Sequence, residues 1–233
     1  MEKLIYLVTK PAGQSSEAFS ADLRGALTDK LLANGVHKLQ INVVDATVAP
    51  AAPLRQIRTN SPFDGFVAVW IDSAFHHPAI AAILSEHVAR FAGYVVTESE
   101  RMPNTTQRVP AGERTPGFSQ VCTLQVPPRL TYAAWFDYWQ QTHGTLAIET
   151  QDTFRYVQNI VTRRLTWDAP VIDGIIEECF PAGAMTDPHV FYDAVGSEER
   201  LKLNSQRMLD SCMKFIDFDK MEVIITSEFV IKS

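Results

Sequence analysis

Two neighbouring stretches decide the fold of this chain: WFDYWQQTHG at residues 135–144 and FRYVQN at residues 154–159. The first holds two of the four tryptophans, and Thr131, a residue type that caps helix N-termini well, stands just before it. A helix is therefore predicted from Tyr132 towards Thr150. The second stretch carries aromatic and β-branched residues, which predict a strand from Phe154 to Val161.

The elements around these stretches are predicted to run in the order β-α-β-β-α-β, and the first half of the chain shows the same order. Its apolar run at residues 3–8 predicts a strand, stopped by Pro11 and Gly13. An amphipathic helix is predicted by apolar residues that recur every four positions: Phe19, Leu23, Leu27 and Leu31. The halves also align on residues, because Phe19 matches Phe136 and Asn42 matches Asn159 at one offset. The chain thus looks like an internal duplication.

An α+β fold follows from this duplication. Each βαββαβ unit is expected to form a ferredoxin-like repeat, with a four-stranded antiparallel sheet and both helices on one face. The bare faces of the two sheets would then pack face to face as a dimeric α/β barrel within one chain. The predicted division is a first repeat at residues 1–100, a Pro- and Gly-containing connector at 101–116, and a second repeat at 117–233.

Composition excludes several classes of function. The formal net charge of −6 and the pI near 5.5 argue against a nucleic-acid or anionic-membrane surface, which needs concentrated Lys and Arg. No apolar run reaches the length of a bilayer span, and the start does not read as a signal peptide, so a cytoplasmic protein is expected. The three cysteines have no paired short spacing and predict neither a disulfide framework nor a zinc site.

The run YWQQTHG at residues 138–144 together with FRYVQN at 154–159 resembles the signature of EthD-like proteins of the dimeric α/β-barrel superfamily. The resemblance covers roughly Gly117 to Ile231 and implies a tandem fusion of two EthD-like units. It implies less about activity, since the wider superfamily includes cofactor-free monooxygenases, lactone isomerases, polyketide cyclases or decarboxylases, and haem-binding enzymes. Fold alone does not choose among these activities.

His143 is the predicted acid or base, because an imidazole beside an apolar cavity exchanges protons near neutral pH. Tyr156 and Asn159 on the next strand are predicted to donate hydrogen bonds to a developing oxyanion, which makes them catalytic candidates with His143. The residue that matches His143 in the first half is taken as Ala26. The second half is therefore expected to hold the only site, with the first half completing the pocket.

The substrate-binding candidates are Trp135, Trp139 and Phe136. With 100° per residue, Trp135 and Trp139 share the inward stripe of the helix with Thr142 and Leu146, and His143 lies on its flank beside Phe136. A structural alternative stays open, in which His143 bonds a carbonyl at a helix end and the aromatic residues are core.

Three functions remain open. The first is a cofactor-independent enzyme acting by acid/base chemistry on an apolar aromatic or polyketide-like molecule, such as occurs in degradation pathways. The second is a haem-binding protein with a histidine as axial ligand, and the third a non-catalytic binding or accessory protein. Metal is not expected at His76-His77, because adjacent histidines point to different sides. Glu177-Glu178 resembles a carboxylate pair, but neighbouring strand residues face opposite ways, so at most one of the two can enter a cavity. A homodimer of the internal pseudo-dimer is left open.

Overall fold

The computed structural model describes residues 1–59 and 62–233, and nine strands occur within those ranges. They are β1 (Glu2–Thr9), β2 (Lys38–Val43), β3 (Gln56–Ile57), β4 (Gly65–Ile71), β5 (Arg90–Met102), β6 (Phe118–Leu124), β7 (Arg155–Arg164), β8 (Gly174–Phe180) and β9 (Glu222–Lys232). Eight of them pair antiparallel in the order β2-β4-β1-β5-β7-β8-β6-β9, and β9 pairs with β2. The sheet is therefore a closed eight-stranded barrel, to which β3 adds a short strand on β9.

The predicted fold, two ferredoxin-like βαββαβ repeats with sheets packed face to face, is wrong. One continuous sheet runs through both halves, because β5 pairs with β7 from Tyr94 to Met102 and β2 pairs with β9 from Leu39 to Val43. The long strands β5 and β9 would leave unpaired backbone groups at a sheet edge, and pairing across the halves removes every such edge. Irregularities in both cross-pairings, at Val95/Val96 and at Leu39/Gln40, bend the strands at these junctions.

The α-helices are α1 (Ser16–Asp22), α2 (Thr28–Ala33), α3 (His77–Ser85), α4 (Tyr132–Asp137), α5 (Gly144–Thr150), α6 (Pro188–Phe191) and α7 (Glu198–Phe215). A π-helical turn at Leu23–Leu27 joins α1 to α2, and another at Tyr138–His143 joins α4 to α5. The side chains of Ser15 and Thr131 accept hydrogen bonds from the backbone N–H groups of Ala18 and Ala134. The N-cap predicted at Thr131 is therefore confirmed, and Ser15 caps α1 in the same way. Short 3₁₀ segments lie at Ala46–Leu54, Ala74–His76, Ala182–Met185 and Phe218–Lys220.

Strand alternation separates two apolar layers. In β1, Leu4 and Tyr6 pack with helix residues such as Phe19, whereas Ile5 packs with residues from other sides of the barrel such as Ile224. The helices therefore cover the outside of the barrel and the inside has its own core. Among the described residues, no helix combines the length and apolar composition that crossing a bilayer requires.

One end of the barrel interior is polar. Glu177 Oε1 lies 2.8 Å from Lys3 Nζ and its Oε2 lies 3.2 Å from the Arg155 guanidinium, which also contacts Glu228 at 2.9 Å. Burial alone would raise the pKa of Glu177, but Lys3 and Arg155 outweigh it and lower the pKa to about 2. Paired charges thus occupy this part of the barrel interior.

Candidate functional site

A cavity of about 550 Å³ lies outside the barrel wall of the second half, beneath α7. Its wall includes Gln120 and Cys122 from β6 and Glu178 from β8, and its rim includes the 3₁₀ segment at Ala46–Leu54 from the first half. Most of the lining is apolar or aromatic, including Leu54, Ile176, Met185, Phe191, Ile216 and Met221. An apolar concavity with a few converging polar groups is the usual form of a small-molecule site.

His143 lines this cavity and is 3% exposed. The π-helical turn at Tyr138–His143 adds a residue to the helical repeat, so the buried positions follow each other at intervals of four: Trp135, Trp139, His143 and Ala147. The α-helical periodicity assumed from sequence placed Thr142 on this stripe, but Thr142 is exposed. The widened turn therefore aims His143 inward rather than along the flank of the helix.

The His143 ring is held on two sides by α7. Its Nδ1 lies 2.9 Å from Ser211 Oγ, and its ring centroid lies 4.3 Å from that of Phe215. Burial lowers the pKa of the imidazole to about 4, because removing water disfavours the charged form. At neutral pH, His143 is thus a neutral group with one ring nitrogen bonded to Ser211 and the other available to the cavity.

Glu178 is the second titratable group of the cavity and is 4% exposed. Its Oε1 has no hydrogen-bond partner among the described residues, and its Oε2 has only a long 3.4 Å contact from Gln120 Nε2. Burial raises the pKa of the carboxyl to about 8, and the Gln120 contact offsets little of that effect. A carboxyl without a counter-charge in an apolar cavity is a typical proton-transfer group.

The cavity thiols are less suited to chemistry. Burial raises the pKa of Cys122 well above its usual range and that of Cys212 to about 12. Both therefore stay protonated near neutral pH, and a thiol is a weak nucleophile. The titratable pair that changes protonation within the accessible pH range is His143 and Glu178.

The structure brings only His143, of the predicted catalytic residues, to the cavity lining. Tyr156 is fully buried beneath the helix, where its hydroxyl accepts a hydrogen bond from Gln158 at 3.2 Å. Asn159 faces the barrel interior and donates to Glu177 Oε1 at 2.9 Å. The two residues are three positions apart on β7, so strand alternation places them on opposite sides of the sheet.

The predicted substrate-binding aromatics lie outside the cavity lining. Trp135 and Trp139 are fully buried and pack against each other with ring centroids 5.0 Å apart. Phe136 is 37% exposed on the outer side of the helix. The site residues that sequence reasoning passed over are Gln120 and Glu178, and the signal for the second was an acidic pair inside the apolar strand IIEECF at residues 175–180.

The first half supplies an internal comparison. From the helix N-caps and the strand registers, the positions that correspond to Gln120, His143 and Glu178 are Leu4, Leu27 and Val69. The alignment of His143 with Ala26 was thus off by one residue. All three counterparts are fully buried apolar residues in one core cluster. Polar chemistry at these positions therefore belongs to the second half alone.

No group of three His, Cys, Asp or Glu side chains within residues 1–59 and 62–233 is arranged to hold a metal ion. His76 is exposed and His77 is partly exposed at the start of α3, where the ring of His76 packs against Phe75.

Comparison with known proteins finds a family match within the second half. The family described as EthD domain matches residues 127–219, a range that includes His143, Glu178 and Ser211. No curated protein sequence matches the chain. A solved structure described as an anthrone oxidase-like protein is similar over 100% of this chain and 94% of that chain, with a TM-score of 0.53 and 7% identity. At this identity the similarity concerns the fold alone.

Two further structures are similar over 99% of this chain. One is described as a candidate monooxygenase from Lactobacillus acidophilus NCFM, with a TM-score of 0.49, 8% identity and 96% of that chain covered. The other is described in the same way and comes from Fusobacterium nucleatum, with a TM-score of 0.48, 10% identity and 92% covered.

Proposed function

Since residues 127–219 match the family described as EthD domain, we propose that the cavity beneath α7 is the active site of an enzyme that moves protons on an uncharged, apolar small molecule. One observation carries the proposal: Glu178, a residue that lines an apolar cavity of about 550 Å³, has a buried carboxyl oxygen with no hydrogen-bond partner among the described residues. Glu178 transfers the proton and His143 supplies a neutral hydrogen-bonding group.

The chemistry follows from the charge states. Among the described residues, ionised Glu178 has no cation that stabilises it, so it is a stronger base than an ordinary carboxylate. It removes a proton from a carbon next to a carbonyl group, the C–H electron pair moves towards the carbonyl oxygen, and the neutral carboxyl later returns the proton. A pKa of about 8 suits both steps, since the group gains and loses protons near neutral pH.

The charge of the lining supports an uncharged ligand. The described residues around the cavity include no lysine or arginine, so a carboxylate or phosphate would lie unpaired beside Glu178. For the same reason the described lining residues offer no cationic partner to the two carboxylates of a haem. A fused aromatic ketone needs no such partner, and the similar structure described as anthrone oxidase-like suggests anthrone as the probe.

The test is hydrogen exchange at the methylene carbon of anthrone in D₂O, followed by NMR. This readout needs neither an oxidant nor a cofactor. We expect saturable acceleration whose rate rises with pH up to about 8 as Glu178 ionises. Glu178→Gln should lower the rate about 100-fold or more, within the usual range for an acid–base group.

The matched control is Glu199→Gln, which removes an exposed carboxyl from α7 and should leave the rate unchanged. Full exchange activity in Glu178→Gln would contradict the proposal. Saturable binding of anthrone without any exchange would instead indicate a binding protein.

A further inference from the structure

Ser211 on α7 lies between two hydrogen-bonding side chains of the π-helical turn. Its Oγ is 2.9 Å from His143 Nδ1 and 3.1 Å from the Tyr138 hydroxyl. Ser211 is 3% exposed, so water does not compete freely for these bonds. The three side chains form a chain that runs from the surface side of the helix to the cavity.

The direction of the chain follows from donor and acceptor strength. A serine hydroxyl has one proton and can donate only one of its two bonds here. A phenol is a better donor than an aliphatic alcohol, and an imidazole nitrogen is a better acceptor than a phenol oxygen. The favoured arrangement therefore has Tyr138 donating to Ser211 and Ser211 donating to His143 Nδ1.

We infer that Ser211 is a positioning residue: together with Tyr138 it holds His143 in the tautomer whose proton is on Nε2. Since Nδ1 is occupied and the ring lines the cavity, Nε2–H is the group offered to a ligand. His143 is then a neutral hydrogen-bond donor and not a base. This rests on the proposed function and deepens it, because the ligand must present an acceptor oxygen to His143.

The two cavity groups then have separate roles. Glu178 takes the proton from carbon, and the His143 N–H donates a hydrogen bond to the oxygen on which charge develops. A donor placed where charge develops stabilises the transition state more than the ground state. The substrate class is therefore a neutral ketone, or its enol or phenol tautomer.

The test reads the tautomer directly. Long-range ¹H–¹⁵N NMR spectra of ¹⁵N-labelled protein at pH 7.5 distinguish a protonated from an unprotonated ring nitrogen, and His143→Gln assigns the signals. We expect an unprotonated Nδ1 and a protonated Nε2. Ser211→Ala should lower the ratio of the Nε2–H to the Nδ1–H tautomer about tenfold, the effect of one hydrogen bond, and Ser211→Thr should restore it.

Packing alone would not produce this pattern, because the Phe215 contact that orients the ring is kept in the unsubstituted protein and in both Ser211 variants. A protonated Nδ1 in the unsubstituted protein would overturn the inference, as would an unchanged tautomer ratio in Ser211→Ala. Neither result requires a ligand, so either one leaves the proton-transfer role of Glu178 to be decided by anthrone exchange.

Discussion

Replacing Glu178 with Gln should make the protein more stable at high pH. The pKa of this carboxyl is 4.5 in its ordinary state and about 8 in the folded protein. Below pH 4.5 the carboxyl is protonated in both the folded and the unfolded state, so its ionisation does not change the free energy of unfolding. Between 4.5 and 8 the unfolded chain loses the proton while the folded chain keeps it, so the stability of the folded state falls as pH rises.

The magnitude follows from the same interval. Each pH unit changes the free energy of unfolding by about 1.4 kcal/mol, so the full interval from 4.5 to about 8 corresponds to about 5 kcal/mol. Gln has nearly the same shape and does not titrate. The stability of Glu178→Gln relative to the parent protein should therefore increase by about 4 kcal/mol between pH 5 and pH 8.

Urea unfolding at pH 5, 6, 7 and 8 measures this difference. The neighbouring substitution Glu177→Gln is the matched control, because that carboxyl is equally buried but pairs with Lys3 and Arg155. Its pKa of about 2 means that its contribution is lost only as pH falls from 4.5 towards 2. Glu177→Gln should thus destabilise the protein by about 3–5 kcal/mol equally from pH 5 to 8. A Glu178→Gln effect that does not change with pH would refute the desolvation argument.

The titration of His143 and the packing of Gly174 test the structure independently of Glu178. His143 should not titrate between pH 5.5 and 8 in NMR spectra, because burial lowers its pKa to about 4. The partly exposed His189 should titrate in this range, since its pKa is raised mainly by the hydrogen bond that its ring donates to the Glu198 carboxylate. A His143 midpoint near 6.5 would contradict the buried placement. Gly174→Ala would place a methyl group 2.6 Å from the Trp139 ring and should lower the free energy of unfolding in urea by about 1–3 kcal/mol. In the control Gly25→Ala, the added methyl group has no neighbour within 4 Å. Equal effects of the two substitutions would count against the packing of Trp139 on Gly174.

The candidate site was predictable only in part. His143 stands out in the sequence because a histidine ends an aromatic helical run. Its inward orientation depends on the π-helical turn, which no α-helical periodicity reveals. Glu178 was visible as part of an acidic pair, but its raised pKa depends on α7 and on the 3₁₀ segment at Ala46–Leu54 covering the strand. Those elements lie far away in the sequence, so the desolvation of Glu178 could not be derived from its neighbours in the chain.

By itself, the sequence determined the local elements of this protein: the helices that begin after Ser15 and Thr131, and the apolar strands, because caps and periodicity are properties of neighbouring residues. The pairing of β5 with β7 and of β2 with β9 was decided only by tertiary structure. The backbone N–H and C=O groups of an apolar strand can pair with any free strand edge of suitable length. Which edge they pair with depends on the arrangement of all the strands in the barrel. The same closure buries Glu177 between Lys3 and Arg155 inside the barrel, and it buries Glu178 outside the barrel with no counter-charge among the described residues.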